Sequence, residues 1–455
     1  MSSKSFLETA RPEHVYRPVA ERLRDYDEVE APLPLAELRQ QSERCQNCGL
    51  PFCHGRGCPL GNEIPDFNAA VSQGAWRLAW DLLAQTSPFP EFTSRVCPAL
   101  CEGSCTAGIH FGPVMVRQIE KAIVDMAFAQ GWVTEPAPAR RRQHRVAVVG
   151  AGPAGLAVAR DLNRRGCNVT VYDRNASPGG LLRYGIPDFK LSKKSIERRC
   201  SLLAGAGIRF MLGTHVGADV AGAYLARRHD AIVLATGTPL ARDLALPGRE
   251  LPGVHLALDL LGGRNRANAG ELPAPPISAR GKNVLVIGGG DTGSDCVGTC
   301  RRDGAASVTQ IEIMPMPPAT RSASTPWPDW PYQMRTSSSH EEGCERRWSL
   351  NSVRFLGRDG RLAGVEVAPV QWEMSPTGRP LRFALAGPTE VITCDLVFLA
   401  LGFLKQTRTQ LLSHYGIEDA ESVFLAGDAA QGPSLVVRAL ADGRDVAARV
   451  AAWLG

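Results

Sequence analysis

Three textures of hydrophobic and polar positions follow one another along the chain. The first 140 residues mix helix-like apolar periodicity, over 69–84 and 116–129, with polar turns that carry cysteine. They close in a Pro/Ala/Arg linker, EPAPARRRQ. From Arg145 the pattern becomes apolar strand, glycine turn and helix: RVAVVGAGPAGLAVARDLNRRG, then NVTVYDR. Near Lys282 it returns as NVLVIGGGDTGSDCVGTCRRDGA, then SVTQIEIMP. The tail adds an apolar strand (CDLVFLALGF), a short strand (SVFLAGDAA) and a helix over SLVVRALADGRDVAARVAAWL.

This order predicts an α/β protein with a mostly α-helical N-terminal domain and two Rossmann-like nucleotide-binding folds, one nested in the other. The expected divisions are 1–140 for the helical domain and 141–280 for the first part of one nucleotide domain. The second nucleotide domain spans 281–393, and 394–455 returns to the first. PMPPATRSASTPWPDWPYQMRTSSSH, inside the second fold, is too long for a plain connection and predicts an ordered excursion or a partner surface.

Composition narrows the function classes. The 455 residues are 44% hydrophobic and 21% charged, ordinary for a soluble globular protein, and too long for one core. A net charge of +5 with no Lys/Arg-dense block gives no case for nucleic acid. No apolar run reaches the ~18 residues of a membrane span. The N-terminus has no apolar signal core, so a cytoplasmic protein is expected.

The two glycine turns carry the first candidate chemistry. Gly150, Gly152 and Gly155, with Pro153 and Ala154 between them, follow a strand and open a helix, and Asp173 ends the next strand. That context marks a dinucleotide site. The glycines permit the tight turn, close approach of the pyrophosphate and helix–strand packing, and Asp173 would bind ribose hydroxyls. Gly288, Gly290, Asp291 and Thr292 form the second turn, and Glu312 lies near the end of its following strand. An acid there bonds a free 2′-hydroxyl and repels a 2′-phosphate, which favours NADH over NADPH; otherwise Glu312 is only a solvated strand end. Two fingerprints imply two dinucleotides. FAD beside NAD(P)H suits hydride transfer, because flavin takes two electrons and can release them singly.

Thirteen cysteines are distributed unevenly, with Cys45, Cys48, Cys53, Cys58, Cys97, Cys101 and Cys105 in one stretch. Without an export signal this reads as metal or cluster ligation. Cys45-x2-Cys48-x4-Cys53-x4-Cys58-Pro59 is similar to the bacterial ferredoxin run, while Cys-x2-Cys also opens many zinc sites. Seven cysteines are one short of two four-cysteine sites of either kind. A flavin–nicotinamide module has no use for zinc but needs an electron outlet, so iron–sulfur clusters are favoured. Cys296 and Cys300, one turn apart, read as packing, as do Cys167, Cys200, Cys344 and Cys394.

The chain resembles the glutamate synthase small (β) subunit family over nearly its whole length. The resemblance rests on CQNCGLPFCHGRGCPLGNEIPDFN, FPEFTSRVCPALCEGSCTAGI, VVGAGPAGLAVA, PGGLLRYGIPDFKL, VLATGT, VIGGGDTGSDCVGT, VTQIEIMP, TPWPDWP, LVFLALGF and LAGDAAQGPSLVVRAL. It implies a helical domain with two [4Fe–4S] clusters joined to a glutathione-reductase-like FAD/NAD(P)H pair. One cluster would use Cys45, Cys48, Cys53 and Cys105; the other Cys58, Cys97, Cys101 and Glu120, unless Glu120 is an ordinary helix glutamate. It also implies Gly180 and Leu181 near the flavin, and Thr236-Gly237 at the crossover between nucleotide domains. Gly427 and Asp428 would approach the flavin ribityl and phosphate, and the Ser434 helix the isoalloxazine ring. IEIMP resembles the NADH-type branch, and the stretch 402–423 looks shorter than the family pattern.

The implied activity is NAD(P)H oxidation with electron relay to a large (α) FMN-containing subunit. That partner makes L-glutamate from L-glutamine and 2-oxoglutarate, with no membrane or nucleic acid involved. The alternatives are a reductase feeding another acceptor, such as ferredoxin or a dihydropyrimidine-dehydrogenase-type partner, and a scaffold with degenerate nucleotide sites. Intact glycine loops speak against the scaffold.

Overall fold

A computed structural model describes residues 5–12, 16–375, 378 and 380–455. The N-terminal part is helical: α1 (Leu35–Glu43), α2 (Ile64–Ser72), α3 (Trp76–Thr86), α4 (Pro90–Val96) and α5 (Val116–Ala129). The stretch 69–84, expected as one helical run, is split between α2 and α3. Gly74 takes φ +74° and its N–H donates to the Val71 carbonyl, while the Ala75 N–H reaches back to Ala70. That six-to-one closure ends α2, and only glycine adopts its backbone without strain. The 116–129 helix has the expected ends.

The first nucleotide fold follows: β1 (Arg145–Val149), α6 (Pro153–Arg164), β2 (Asn168–Asp173), β3 (Arg209–Leu212) and β4 (Ala231–Leu234). The second contains β5 (Val254–Leu256), β6 (Asn283–Ile287), α7 (Asp291–Asp303), β7 (Ser307–Glu312) and β8 (Glu345–Trp348). An antiparallel sheet of β9 (Leu350–Arg358), β10 (Arg361–Met374), β11 (Pro380–Leu385) and β12 (Glu390–Thr393) sits beside it. The chain then forms β13 (Leu396–Leu399), β14 (Val423–Leu425) and α8 (Val436–Leu454).

Both five-stranded sheets are parallel, ordered β14-β4-β1-β2-β3 and β5-β13-β6-β7-β8. Their inner strands β1, β4, β6 and β13 are buried apolar runs because helices and loops cover both faces, while the outer strands β3 and β8 are half-buried to exposed. Sheet membership corrects the expected divisions at 280/281 and 393/394. β5 lies before the first and β13 beyond the second, yet both pair in the second sheet. The short stretch 402–423 still delivers a helix (Arg408–Tyr415) and β14, which pairs with β4.

The helical domain shares a core with the first nucleotide fold. Leu60, Phe89 and Phe92 pack with Val146, Val148 and Leu156. Charge reinforces this seam: Arg199 Nε meets Glu91 Oε1 at 2.5 Å and Nη2 meets Oε2 at 3.1 Å. Arg160 Nε meets Glu135 Oε2 at 2.9 Å. An N-terminal arm adds a second staple, where Arg22 Nε contacts Glu342 Oε1 at 2.9 Å and Arg302 holds the same carboxylate. Arg302 also donates to the Asp25 carbonyl at 3.1 Å.

Removing one partner of a buried ion pair leaves a charge unanswered, which costs about 3–5 kcal/mol. Glu91 is 0% exposed, so Glu91→Ala is expected to destabilise the protein by that order in denaturant unfolding. A loss below about 1 kcal/mol, the range of an exposed pair, would show that the seam does not depend on it.

Candidate functional site

The first glycine loop is shaped by backbone crowding. Gly150 has φ +107°, and a Cβ there would run into the Ala235 carbonyl oxygen; at Gly155 it would run into that of Gly150. A Cβ on Gly180 would lie 2.8 Å from the Gly152 Cα, and one on Gly427 2.5 Å from the Ala154 Cβ. Three distant segments therefore converge on the N-terminus of α6, where Pro153 takes the first helical position. The Asp428 carboxylate beside them accepts from Ser434 Oγ at 2.6 Å, and burial pushes its pKa up. Thr236 and Gly237 follow the C-terminal end of β4, an inner strand of the sheet, and Leu181 opens a short helix after Gly180. These residues could hold FAD, because they meet at the N-terminus of α6, whose free N–H groups suit a pyrophosphate.

The second loop repeats the arrangement down to its acid. The Gly289 N–H donates to Glu312 Oε2 at 2.7 Å, as the Ala151 N–H donates to Asp173 Oδ2 at 2.7 Å. The other carboxylate oxygen accepts from the Met314 N–H (3.0 Å) and the Asn175 N–H (2.8 Å) respectively. Both acids thus clamp their own glycine loop, a role the motif does not announce. Each oxygen retains acceptor capacity for a ribose hydroxyl. Gln310, missed in the sequence, donates to the Gly288 carbonyl at 2.8 Å and accepts from His340 Nε2 at 2.8 Å. Burial holds the His340 pKa down at about 4, so the ring stays neutral and the clamp intact.

Two spaces meet at this loop. A pocket of about 1020 Å³ is lined by Gly288, Gly290, Glu312, Arg242 and Ser352. A larger cleft, about 1660 Å³, is lined by Gly427, Ser434, Arg438 and Phe403. Asp291 and Thr292 line both. A ligand on the second loop can therefore reach the space beside the first.

The seven clustered cysteines divide by their electrostatic neighbours. Cys45 and Cys53 feel Cys48 and Cys105. Cys97 feels Cys58 and Glu120, and Cys101 feels Glu102, Cys58, Cys97 and Glu120. Burial is the main cause that pushes Cys53 to about 12, Cys58 to about 11 and Cys97 to about 12. Such thiols ionise when a cationic centre enters.

Backbone N–H groups of Leu60, Gly61 and Asn62 point at Cys58, and those of Ala107, Gly108 and Val114 at Cys105. Thiolate donors ringed by N–H groups fit an iron–sulfur cluster, whose sulfurs accept such bonds. Cys58, Cys97, Cys101 and Glu120 line one cavity of about 380 Å³. Glu120 is 6% exposed, and its Oε1 accepts from Thr93 Oγ1 (3.1 Å) and Asn62 Nδ2 (3.3 Å). Burial raises its pKa to about 7. Among the described residues no three His, Cys, Asp or Glu side chains converge tightly enough to grip a bare ion.

The remaining cysteines are buried except Cys344, which is partly exposed. The Trp-rich excursion is ordered and lies on the cysteine loops. Trp327 packs at a tilt against Phe52 (centroids 4.6 Å apart, planes 56° apart), Ser104 Oγ donates to the Pro328 carbonyl (2.8 Å) and Arg56 pairs with Asp329 (2.8 Å).

Comparison with known proteins follows the same division. Residues 22–132 match the family described as dihydropyrimidine dehydrogenase domain II, 4Fe-4S cluster, and residues 144–326 match pyridine nucleotide-disulphide oxidoreductase. The chain is 45% identical to the glutamate synthase [NADPH] small chain of Mycobacterium tuberculosis, over 96% of this chain and 93% of that one. It is 37% identical to that of Bacillus subtilis, over 99% and 97%. Glutamate synthase [NADH] of Saccharomyces cerevisiae matches at 39% over 99% of this chain but 22% of the longer protein. Among solved structures, FprA of Mycobacterium tuberculosis superposes with a TM-score of 0.54 at 18% identity, covering 69% of this chain and 85% of that one. That likeness concerns the fold of the nucleotide domains.

If Glu120 is a ligand, Glu120→Ala, purified anaerobically, should lose the iron of one site, about half the total for two four-iron clusters. Full iron with unchanged spectra would remove Glu120 from the ligand set.

Proposed function

The chain belongs to the glutamate synthase small-chain family, and on that premise we propose that it is the NADH-fed electron-input subunit of a glutamate synthase. It is an NAD(P)H-dependent oxidoreductase with an iron–sulfur domain and two Rossmann-like domains. The finer reading assigns it two [4Fe–4S] clusters and a large FMN-containing partner that makes L-glutamate from L-glutamine and 2-oxoglutarate. The observation that carries this reading is one shared wall. Pro59 lines both the Cys58/Glu120 cavity and the cleft beside Ser434.

When bound, FAD would supply hydride acceptance from NAD(P)H and one-electron release, and the clusters one-electron transport. The residues supply position. Gly150, Gly152 and Gly155 would let the α6 N-terminus hold one pyrophosphate, and Gly288 and Gly290 would let the α7 N-terminus hold the other. Asp291 and Thr292 lead from the nicotinamide-nucleotide pocket into the cleft that Gly427 and Ser434 line. Cys58 lines the cysteine cavity, and Pro59 next to it lines both that cavity and the cleft. No proton needs to be moved by a side chain in this arrangement, so its residues bind and orient.

Glu312 supports NADH: both its oxygens are fixed in the pocket wall, where a 2′-phosphate would meet negative charge. The bacterial relatives carry NADPH in their names and the yeast relative NADH, so the acid is the discriminating argument.

Steady-state reduction of an artificial acceptor should give a higher kcat/KM with NADH than with NADPH, and Glu312→Gln should narrow the ratio. A strong NADPH preference in the unaltered protein would sink the Glu312 argument. Purification from the native host should bring down a large FMN-containing subunit with glutaminase activity. Recovery with a different redox partner, such as a ferredoxin, would place the chain in another electron pathway.

A further inference from the structure

The first cysteine site contains a polar group that the surrounding packing leaves unanswered. Asn68 lies on α2 between Phe67 and the Ala69–Ala70–Val71 turn, on the helix that brings Phe67 and Val71 into the core of the helical domain. It is 0% exposed, and neither Nδ2 nor Oδ1 has a hydrogen-bond partner among the described residues. A primary amide sealed from water normally satisfies its donors, and a fold that leaves them free signals a partner outside the chain.

Its neighbour is the Cys45 thiol. Burial raises that thiol's pKa; the Asn47 N–H opposes the rise, and so does the Asn68 amide, which stands close enough to favour the ionised sulfur without a hydrogen bond of full geometry to the thiol. The amide therefore stands beside a sulfur that carries negative charge whenever the site is filled. Arg44 reinforces the polarity: its guanidinium donates to the Phe111, Gly112 and Pro113 carbonyls and lies within the field of Cys105. The other site has the opposite character, since Glu120 brings a carboxyl to it.

We propose that Asn68 donates a side-chain N–H to the sulfur of the iron–sulfur site framed by Cys45, Cys48, Cys53 and Cys105, and thereby raises its reduction potential. The proposal rests on the reading that these cysteines hold a cluster. Reduction adds negative charge to a centre in a low-dielectric interior, so a donor stabilises the reduced form more than the oxidised one. Asn68 is thus a tuning residue that acts through sulfur, with no bond made or broken by its side chain. The fold keeps it from water because α2 is buried on several sides there, with Phe67, Ala70 and Val71 sealed as well.

The test is a redox titration of the anaerobically purified full chain, followed by electron paramagnetic resonance, with iron and acid-labile sulfide counted. Asn68→Leu matches the shape and removes the donor. It should keep both clusters, shift one midpoint downward and leave the other in place, and Asn68→Ser should recover part of the shift. An unmoved midpoint with full iron overturns the proposal, as does an equal shift of both clusters. Should Asn68→Leu lose iron, pulsed resonance on the wild-type protein with asparagine labelled only at the side-chain amide nitrogen, which leaves the Asn47 backbone N–H silent, decides instead. A nitrogen coupling to one cluster supports the assignment, and its absence overturns it. Wild-type protein without acid-labile sulfide overturns the cluster reading and this proposal together; sulfide-bearing protein with an unmoved potential overturns this proposal alone.

Discussion

The buried contact between Glu91 and Arg199 is the constraint on which the rest of the molecule depends. Glu91 sits in the helix that leads directly to Cys97, and Arg199 belongs to the first nucleotide fold. Neither can be solvated, so each must find the other, and Phe89 packs against the guanidinium at 5.3 Å to close the seam. Once that seam forms, the cysteine loops have one position relative to the nucleotide cleft. Pro59 then becomes a wall of both spaces. A module that passes electrons between sites needs this fixity more than it needs a reactive side chain.

The two nucleotide folds solve the same local problem in the same way. In each, a backbone N–H of the glycine loop is taken by the acid at the end of the next strand. Asp173 and Glu312 are therefore structural before they are selective. Their carboxylates are oriented by the loop they support, so a ribose bound there would meet them already in place. Gln310, with the neutral His340 behind it, does the same for the Gly288 carbonyl. The Trp-rich excursion leaves this second fold and lies on the loops that carry Cys53 and Cys101, so the third pairing of domains is also made by side chains.

Much of this was legible in the chain. The strands at Val146 and Val284, the 116–129 helix and both glycine loops follow from periodicity and spacing, because these are local properties of the backbone. The departures are equally physical. Gly74 divides a helical run because its left-handed backbone closes α2. β5 and β13 fall outside the expected divisions because a parallel sheet recruits strands from both sides of its nested segment. Asn62 and Thr93 hold Glu120, and Arg242 lines the nucleotide pocket, without any motif to mark them. Each acts through a partner distant in sequence.

By itself the sequence determined the kinds of element, the two dinucleotide loops and the presence of soft thiolate donors. All of these depend on residue type and short spacing. It left open zinc against iron and the division of seven cysteines between sites. Only the tertiary structure decided which thiols share a field, that both loop acids are clamped by backbone N–H groups, and that the Asn68 amide is buried without a partner. Burial and pairing are long-range quantities: they arise when segments far apart in the chain exclude water from the same few ångströms of space.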